Sequence, residues 1–466
     1  MRRRDVLHVW NEGCHVGEFF RTGTDSDVDF RYDSDESTSG GVGVPISLSL
    51  PLSGVSSRRA PKAFLENMLP DDPNARQRMA ARLHISSTDT FDLLDGADTV
   101  GGLVFTRRDK LPDMPLEVRP LDDEELARQI GYVRANGYNW FARDIDDEFN
   151  ERAVPRCRFS IAGGQPKFTV ARRGGVWLWP NLDIPSTHII KPEVLDCPNS
   201  DTVENATMTL GEMCGLPVAE HGLLEVAGTR AFITRRFDRV INSGIVRRVH
   251  CEDLAQSMGM MPGLKYDIDA ISCVRFLRGY DETNKMAYEW VRRLAFNISS
   301  GDCDSHGKNY SIIFTPSGFR FSPMYDLTST RTWPQLDQEL SMSINGVQYA
   351  DWLTPSDWAA FARAAGLDEE RVVRIARVIA HAVLMYADQA VRDVPAPQRD
   401  AMLRGIIKSN ANIEPVDEPL EDIGADSSVF SGYQREDDDV WVRPYVREDH
   451  HISGYWRRRD LTHDVV

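Results

Sequence analysis

Short apolar runs alternate with Gly, Ser and Asp turns over residues 1 to about 109. Within them "LHVWNEGCHVGEFF" and "GVGVPISLSLPL" read as strands, and Ala60–Ile85 reads as helix. Residues 110–155 open acidic and Pro-punctuated and turn helical over Asp122–Gly137, the look of a connector packed between domains. From 156 to 252 the pattern is β. "RCRFSI", "KFTVARR", "GVWLWP", "THIIK", "LLEVAG" and "RAFITRRF" are short, β-branched or aromatic, and separated by turn residues. One helix interrupts them, Asp201–Cys214, with Val203, Ala206, Leu210 and Met213 at helical spacing. Residues 253–410 read as helical, broken by a hairpin over Tyr310–Pro323. The pattern therefore predicts an α+β protein. A small N-terminal α/β subdomain precedes a β-rich lobe and a larger helical lobe, the two-lobed order of kinase-type phosphotransferases. Residues 411–466 are acidic and interrupted by Pro, Gly and Ser, which predicts a mostly disordered tail. Its aromatic and Arg-rich end reads either as a docking segment or as a small hairpin.

Charge narrows the function classes. Over 466 residues, 54 Lys and Arg against 71 Asp and Glu give a formal net charge of −17, which argues against a broadly basic surface that holds nucleic acid directly. At 41 % hydrophobic and 27 % charged the chain can bury an ordinary core. No stretch approaches the ~20 apolar residues of a membrane helix. Asn11, Glu12, His15 and Glu18 break the place where a signal peptide's apolar segment would stand. The seven cysteines, with no C-x-x-C pair, fit free thiols in a reducing cytoplasm.

Candidate chemistry concentrates in Asn297–Asp326. Asp304 and Asn309 stand as D-x-x-x-x-N, the spacing of a kinase catalytic loop. Phosphoryl transfer needs a carboxylate beside the attacking hydroxyl and an amide oxygen for Mg²⁺, and a short loop aims both at the γ-phosphate. Asp326, after the hairpin, supplies a second carboxylate for the metal. Between them, His306 either braces the loop or faces solvent, and Lys308 either neutralises the transferring phosphate or faces solvent. Upstream, "SIAGGQPK" (Ser160, Ile161, Ala162, Gly163, Gly164, Gln165, Lys167) joins two strands, and its paired glycines let backbone amides approach ATP phosphate. An ordinary hairpin turn is the alternative. Lys191 ends the apolar strand "THIIK", the place of the kinase lysine that neutralises the α- and β-phosphates. Its acidic partner is Glu204 or Glu212, with Glu204 preferred. "AFITRRFDR" reads as a strand entering a hinge, where backbone near Arg236 and Phe237 reads adenine, and Phe237 packs on the base or in the core.

The ordered set "SIAGGQPK", "PSTHIIKP", "RRFDR", "RRVHCEDLAQSMG" and "GDCDSHGKNYSI…FSPMYDL" resembles the HipA family of bacterial toxin kinases over roughly residues 5–410. The resemblance implies a Ser/Thr protein kinase, distantly similar to lipid kinases, that uses ATP and Mg²⁺ and phosphorylates an aminoacyl-tRNA synthetase, glutamyl-tRNA synthetase being the best-known target. It implies a HipB-like helix-turn-helix antitoxin as partner, through which an acidic chain reaches operator DNA. By position, Asp304 matches the catalytic aspartate, Asn309 and Asp326 the magnesium ligands, Lys191 the ATP lysine, and Ser160 the autophosphorylated serine whose modification shuts the enzyme off. Arg235 departs from the glutamate of the best-known members. Two rivals remain: a small-molecule or lipid kinase on the same scaffold, and a degenerate repression partner of the antitoxin.

Overall fold

The computed structural model describes residues 5–22, 27–33, 44–52, 56–83, 85–111, 118–136, 165–242, 245–315 and 318–419, and the strands at 439–442, 445–447, 450–452 and 455–458. The N-terminal part is an antiparallel sheet in the order β3-β2-β1-β4, from β1 (Val6–Asn11), β2 (Cys14–Arg21), β3 (Val28–Tyr32) and β4 (Leu103–Thr106). Alternation along β1 turns Leu7 and Val9 inward, and they pack with Phe19, Phe64 and Phe105 into a core of their own. The helix expected over Ala60–Ile85 is two helices, α1 (Ala60–Glu66) and α2 (Pro73–Arg82). Pro73 opens the second with Asp72 as its N-cap, and a proline cannot continue a helix from its first turn. α3 (Thr90–Leu94) completes the layer. The described part of "GVGVPISLSLPL" forms no strand. It makes a tight turn closed by Ser47 and Leu50, with Pro45 and Pro51 unable to donate ladder bonds.

The segment read as a connector belongs to the β-rich lobe. β5 (Pro120–Leu121) opens a six-stranded antiparallel sheet ordered β5-β7-β6-β8-β10-β9, with β6 (Phe168–Arg173), β7 (Val176–Leu178), β8 (His188–Lys191), β9 (His221–Val226) and β10 (Thr229–Arg235). α4 (Asp123–Asn136) covers one face, burying Leu126, Ile130 and Val133 against Phe168, Ile190 and Ile233. α5 (Ser200–Met213) has its residues 200–210 buried, because sheet residue Phe232 lies to one side of it and the helical lobe to the other.

A small pair, β11 (Arg239–Asn242) with β12 (Ile245–Arg248), leads to the three-stranded sheet β13 (Cys251–Asp253), β14 (Ser311–Thr315) and β15 (Gly318–Phe321). The helical lobe is built from α6 (Leu254–Ser257), α7 (Ala270–Arg278), α8 (Lys285–Ser300), α9 (Pro355–Ala365), α10 (Glu369–Ala390) and α11 (Ala396–Ser409) around one large core. The order adjoining the tail extends past 410. Ile413 is buried, Arg377 Nε donates to the Glu414 carbonyl at 2.6 Å, and Arg374 pairs with Glu418 at 2.7 Å. At the far end β16 (Asp439–Val442) pairs with β19 (Tyr455–Arg458), and β17 (Tyr445–Arg447) with β18 (His450–Ile452). Residues 420–438 lie outside the described residues.

The N-terminal part is bolted to the lobes by buried polar contacts. Gly101, at φ +83°, and Gly102 lie on β13 so closely that a Cβ on either would meet the backbone of Cys251 or His250 within 3.0 Å. Beside them Asp98 accepts from Arg239 at 3.1 Å and from Ser186 Oγ at 2.5 Å, while Asp238 accepts from Arg236 at 2.7 Å, Arg239 at 2.8 Å and the Gly101 amide at 2.7 Å.

Candidate active site

α8 ends because Gly301 takes the left-handed conformation at φ +81°, where a Cβ would stand 3.0 Å from Ser329 Oγ. The Asp302 amide then closes back on the Asn297 carbonyl at 2.9 Å. From there residues 302–310 form a loop tied to itself. Asp302 Oδ1 accepts the Asp304 amide at 3.0 Å, the Asp304 carbonyl accepts the His306 amide at 2.9 Å, and the His306 carbonyl accepts the Asn309 amide at 2.9 Å. Asn297 Nδ2 donates to Ser305 Oγ at 2.5 Å and to the Tyr310 hydroxyl at 3.1 Å, which fixes the loop to the helix it follows. Asp304 is left at the solvent-facing crest, where Oδ1 accepts from the Tyr266 hydroxyl at 2.9 Å. Crowding by protein raises its carboxyl above the ordinary value, with the Tyr266 hydrogen bond working the other way.

The β14–β15 hairpin returns the chain to this loop. Met324 bridges Val218 in parallel, and Asp326 follows with φ +57°, a conformation few residues other than glycine adopt. Its carboxylate meets Lys191, whose buried ammonium also donates to Glu204 Oε1 at 2.6 Å. Glu204 is thus the acidic partner. Burial alone would raise the Asp326 carboxyl, but the ammoniums of Lys191 and Lys167 hold it well below the carboxylate range. The same two carboxylates overcome burial and hold Lys191 protonated above its usual value. Burial dominates at Glu204 and pushes it up to about 7.

The remaining candidates divide. Ser160, Ile161, Ala162, Gly163 and Gly164 lie outside the described residues. Gln165 is half-buried and Lys167 buried, its ammonium lowered to about 8 by burial with Asp326 opposing. Arg236 keeps its side chain and its amide within the protein. Its guanidinium is buried and committed to Asp238, Ser186 Oγ and the Thr99 carbonyl, and its amide donates to the Thr187 carbonyl at 2.8 Å, so neither group is offered to a ligand. Phe237 is half-buried with its ring 5.2 Å from that of Tyr325, next to Asp326. Arg235 turns to Glu220 at 3.3 Å.

Neither middle residue of the loop faces solvent. His306 is buried and lowered to about 3, by burial first and Lys265 next, so it is a neutral brace with Tyr266 edge-on to its ring. Lys308 is buried too. Its ammonium donates to Asp71 Oδ1 at 2.9 Å and to the Asn67 carbonyl at 3.4 Å, both from the N-terminal part.

Oxygen donors for a hard cation are in place. Asn309 Oδ1 is buried with no hydrogen-bond partner among the described residues, an expensive state for an amide oxygen unless a cation or water meets it. With the Asp326 carboxylate it makes a donor set that fits Mg²⁺. Sequence reasoning missed Tyr266, Lys265 and Asp71. Tyr266 holds Asp304, and Asp71 gathers Lys265 at 3.2 Å with Lys308 at 2.9 Å. A lysine–tyrosine pair before a helix carries no signal that could have singled it out.

Comparison with known proteins agrees with this geometry. The HipA-like C-terminal domain family matches residues 159–386 and the HipA N-terminal domain family residues 7–106. The serine/threonine-protein kinase toxin HipA of Shewanella oneidensis is 28 % identical over 361 residues, spanning 72 % of this chain and 79 % of that protein. Two Sinorhizobium fredii proteins described as candidate kinases are 29 % identical over 422 residues (83 % of this chain, 94 % of the relative) and 30 % over 335 residues (67 % and 73 %). The fold matches HipA in the Shewanella oneidensis complex of HipA, HipB and operator DNA with a TM-score of 0.71 at 23 % identity, over 88 % of this chain and 100 % of that one. Two family models that together take in residues 7–106 and 159–386, with a relative 30 % identical over 67 % of the chain, show that the chain belongs to the HipA family.

Proposed function

We propose that the chain is an ATP-dependent serine/threonine protein kinase acting as the toxin of a toxin–antitoxin pair, with a serine of an aminoacyl-tRNA synthetase, of the glutamyl type, as its target. The observation that carries the reading is Lys191 held between Glu204 and Asp326 beside an Asn309 amide oxygen that lacks a partner. Lys191 grips the ATP phosphates and Glu204 fixes its position. Asn309 and Asp326 hold Mg²⁺, which when bound neutralises charge on the phosphates. Asp304 takes the proton of the target serine as its oxygen attacks the γ-phosphorus and the bond to ADP breaks. His306 braces the loop, and Phe237 offers a face to adenine. Ser160 is the site of self-phosphorylation, which shuts the enzyme off by placing roughly −1.5 to −2 charges beside the triphosphate site. A HipB-like antitoxin carries the chain to operator DNA, as its net charge of −17 requires a partner for that task. Among the described residues no helix is long and apolar enough to cross a membrane; the proposed place of action is the cytoplasm.

Intact-mass measurement after incubation with Mg·ATP tests this directly, starting from phosphate-free protein. The expected result is one added phosphate mapped to Ser160 and none on Asp304→Ala, together with a labelled synthetase in a whole-lysate reaction. Label on lipid or metabolite with no protein labelled would move the assignment to a small-molecule kinase. No transfer to any acceptor would leave the repression-partner reading in its place.

A further inference from the structure

A group of residues on the outer face of the N-terminal sheet has no part in the phosphoryl-transfer site. Leu7 and Val9 of β1 point into the core, so His8 and Trp10 point out. The β1–β2 register shifts between Val9 and Trp10, setting His15 opposite Trp10 and diagonal to His8 on that outer face. The two imidazoles meet edge to edge, His8 Nδ1 standing 3.0 Å from His15 Nε2. β4 pairs along the other side of β1, with Thr106 opposite His8. Trp10 Nε1 donates to Thr106 Oγ1 at 2.7 Å, and that hydroxyl donates to the Arg108 carbonyl at 2.6 Å. The segment after β4 is thereby folded back, and Asp109 Oδ1 comes to 3.7 Å from His8 Nδ1 and 4.0 Å from His15 Nε2. All three donor atoms lie within 4.8 Å of one another.

We propose that His8, His15 and Asp109 form a binding site for a divalent transition-metal cation of the zinc class. The donor set selects the metal: two imidazoles and one carboxylate suit zinc, cobalt or nickel rather than magnesium or calcium. Two imidazole nitrogens bound at ~2.0–2.1 Å to a tetrahedral cation stand about 3.3 Å apart, so the pair at 3.0 Å needs only a slight parting to admit one. The orientation is already set on one side. Asp33 Oδ2 lies 2.8 Å from His15 Nδ1, which keeps the proton on Nδ1 and turns the Nε2 lone pair into the triangle. A bound cation would clip β1, β2 and the segment after β4 together, with a fourth coordination position left to water.

The test is equilibrium dialysis of the full chain against Zn²⁺ with excess Mg²⁺ present, counting bound metal by elemental mass spectrometry. One zinc per chain is expected in the wild type and in Asp326→Asn, and none in His8→Gln/His15→Gln. Asp109→Asn, whose side chain is 78 % exposed and whose replacement leaves the fold alone, should bind at least about tenfold more weakly. With Co²⁺ as the probe, visible ligand-field absorption should appear in the wild type and vanish in the double variant. Zinc bound equally by the wild type, the double histidine variant and Asp109→Asn would overturn the proposal. So would a wild type that binds none, leaving only a hydrogen bond from His8 to His15.

Discussion

Two regions of this molecule bury charge, and they do so in opposite ways. At the junction of the N-terminal part with the hinge, Asp98 and Asp238 face Arg236, Arg239 and Arg248, and backbone carbonyls of Thr99 and Gly101 take further donors. Burial would raise Asp98, yet the arginines hold it well below the carboxylate range, because opposite charge closes in on it. In the cleft, Lys191 and Lys167 face Glu204 and Asp326, and burial raises Asp302 and Asp304 of the neighbouring loop. Asp326 sits there in a strained left-handed backbone, and Asn309 Oδ1 lacks a partner. A closed network stabilises a junction. An open one leaves groups for a ligand, which in the proposed function are a cation and a polyphosphate.

The comparison breaks if the two kinds of aspartate respond alike to substitution. Asp326→Asn is expected to lose less stability than Asp98→Ala, since asparagine tolerates the left-handed region and Lys191 keeps Glu204 as a partner. It should lose about 10³-fold or more of phosphoryl transfer, of order 4 kcal/mol in the barrier. Asp98→Ala is expected to do the reverse. Stranding buried arginines costs about 3–5 kcal/mol of stability, visible as an earlier urea midpoint, while whatever protein remains folded keeps the catalytic groups. Radiolabel transfer and urea unfolding on the same two preparations decide it. Equal stability loss in both would erase the distinction.

Glu252 sharpens the contrast, being a buried acid without the arginines that Asp98 enjoys. It accepts from the Leu48 amide at 2.8 Å and Ser257 Oγ at 2.9 Å, and burial pushes it up to about 8 despite these bonds. The folded chain therefore keeps this proton where the unfolded chain, with an ordinary value of 4.5, has released it. Between about pH 4.5 and pH 8 this group makes stability fall as pH rises, by at most about 1.4 kcal/mol per pH unit. Glu252→Gln keeps the acceptor and removes the titration. Unfolding free energies from urea titrations at about pH 5 and about pH 8 should differ less in the variant by a few kcal/mol; parallel pH profiles would show that Glu252 is ionised in the fold.

The sequence carried the groups that local spacing defines. Asp304 and Asn309 share one loop, Asp326 follows the hairpin after it, and Lys191 ends an apolar strand, so the placement of each was readable from its neighbours. The strands β6 to β10, α5 and the β14–β15 hairpin were equally plain, because their apolar periods are unbroken. What failed was long-range or proline-edited. The guanidinium of Arg236 gave no sign that it reaches Asp98, 138 positions upstream, as well as Asp238. Leu121 and Leu126 looked like linker until the sheet at Phe168 supplied something to bury them against. Pro73 divides a helix whose apolar pattern runs on through it. Lys308 gave no hint that its partner, Asp71, lies 237 positions away.

Asp71 is the point where the two ways of burying charge meet. It is half-buried and belongs to the N-terminal part, yet it pairs with Lys308 of the catalytic loop and Lys265 beside Tyr266, the residue that holds Asp304. Burial would raise its carboxyl, but the two ammoniums lower it, as arginines lower Asp98. If the open cleft depends on this closed contact, Asp71→Asn should loosen the loop and leave Lys191, Glu204 and Asp326 untouched. The expected result is a fall in kcat of about tenfold, near 1.4 kcal/mol, with little change in KM for ATP and a stability loss of about 1 kcal/mol. Lys308→Met should have a similar effect, and the double variant no more than either single one, since both remove the same bond. Additive losses would mean that Lys308 acts on the phosphate separately from Asp71, and that the N-terminal part is joined to the catalytic loop without governing it.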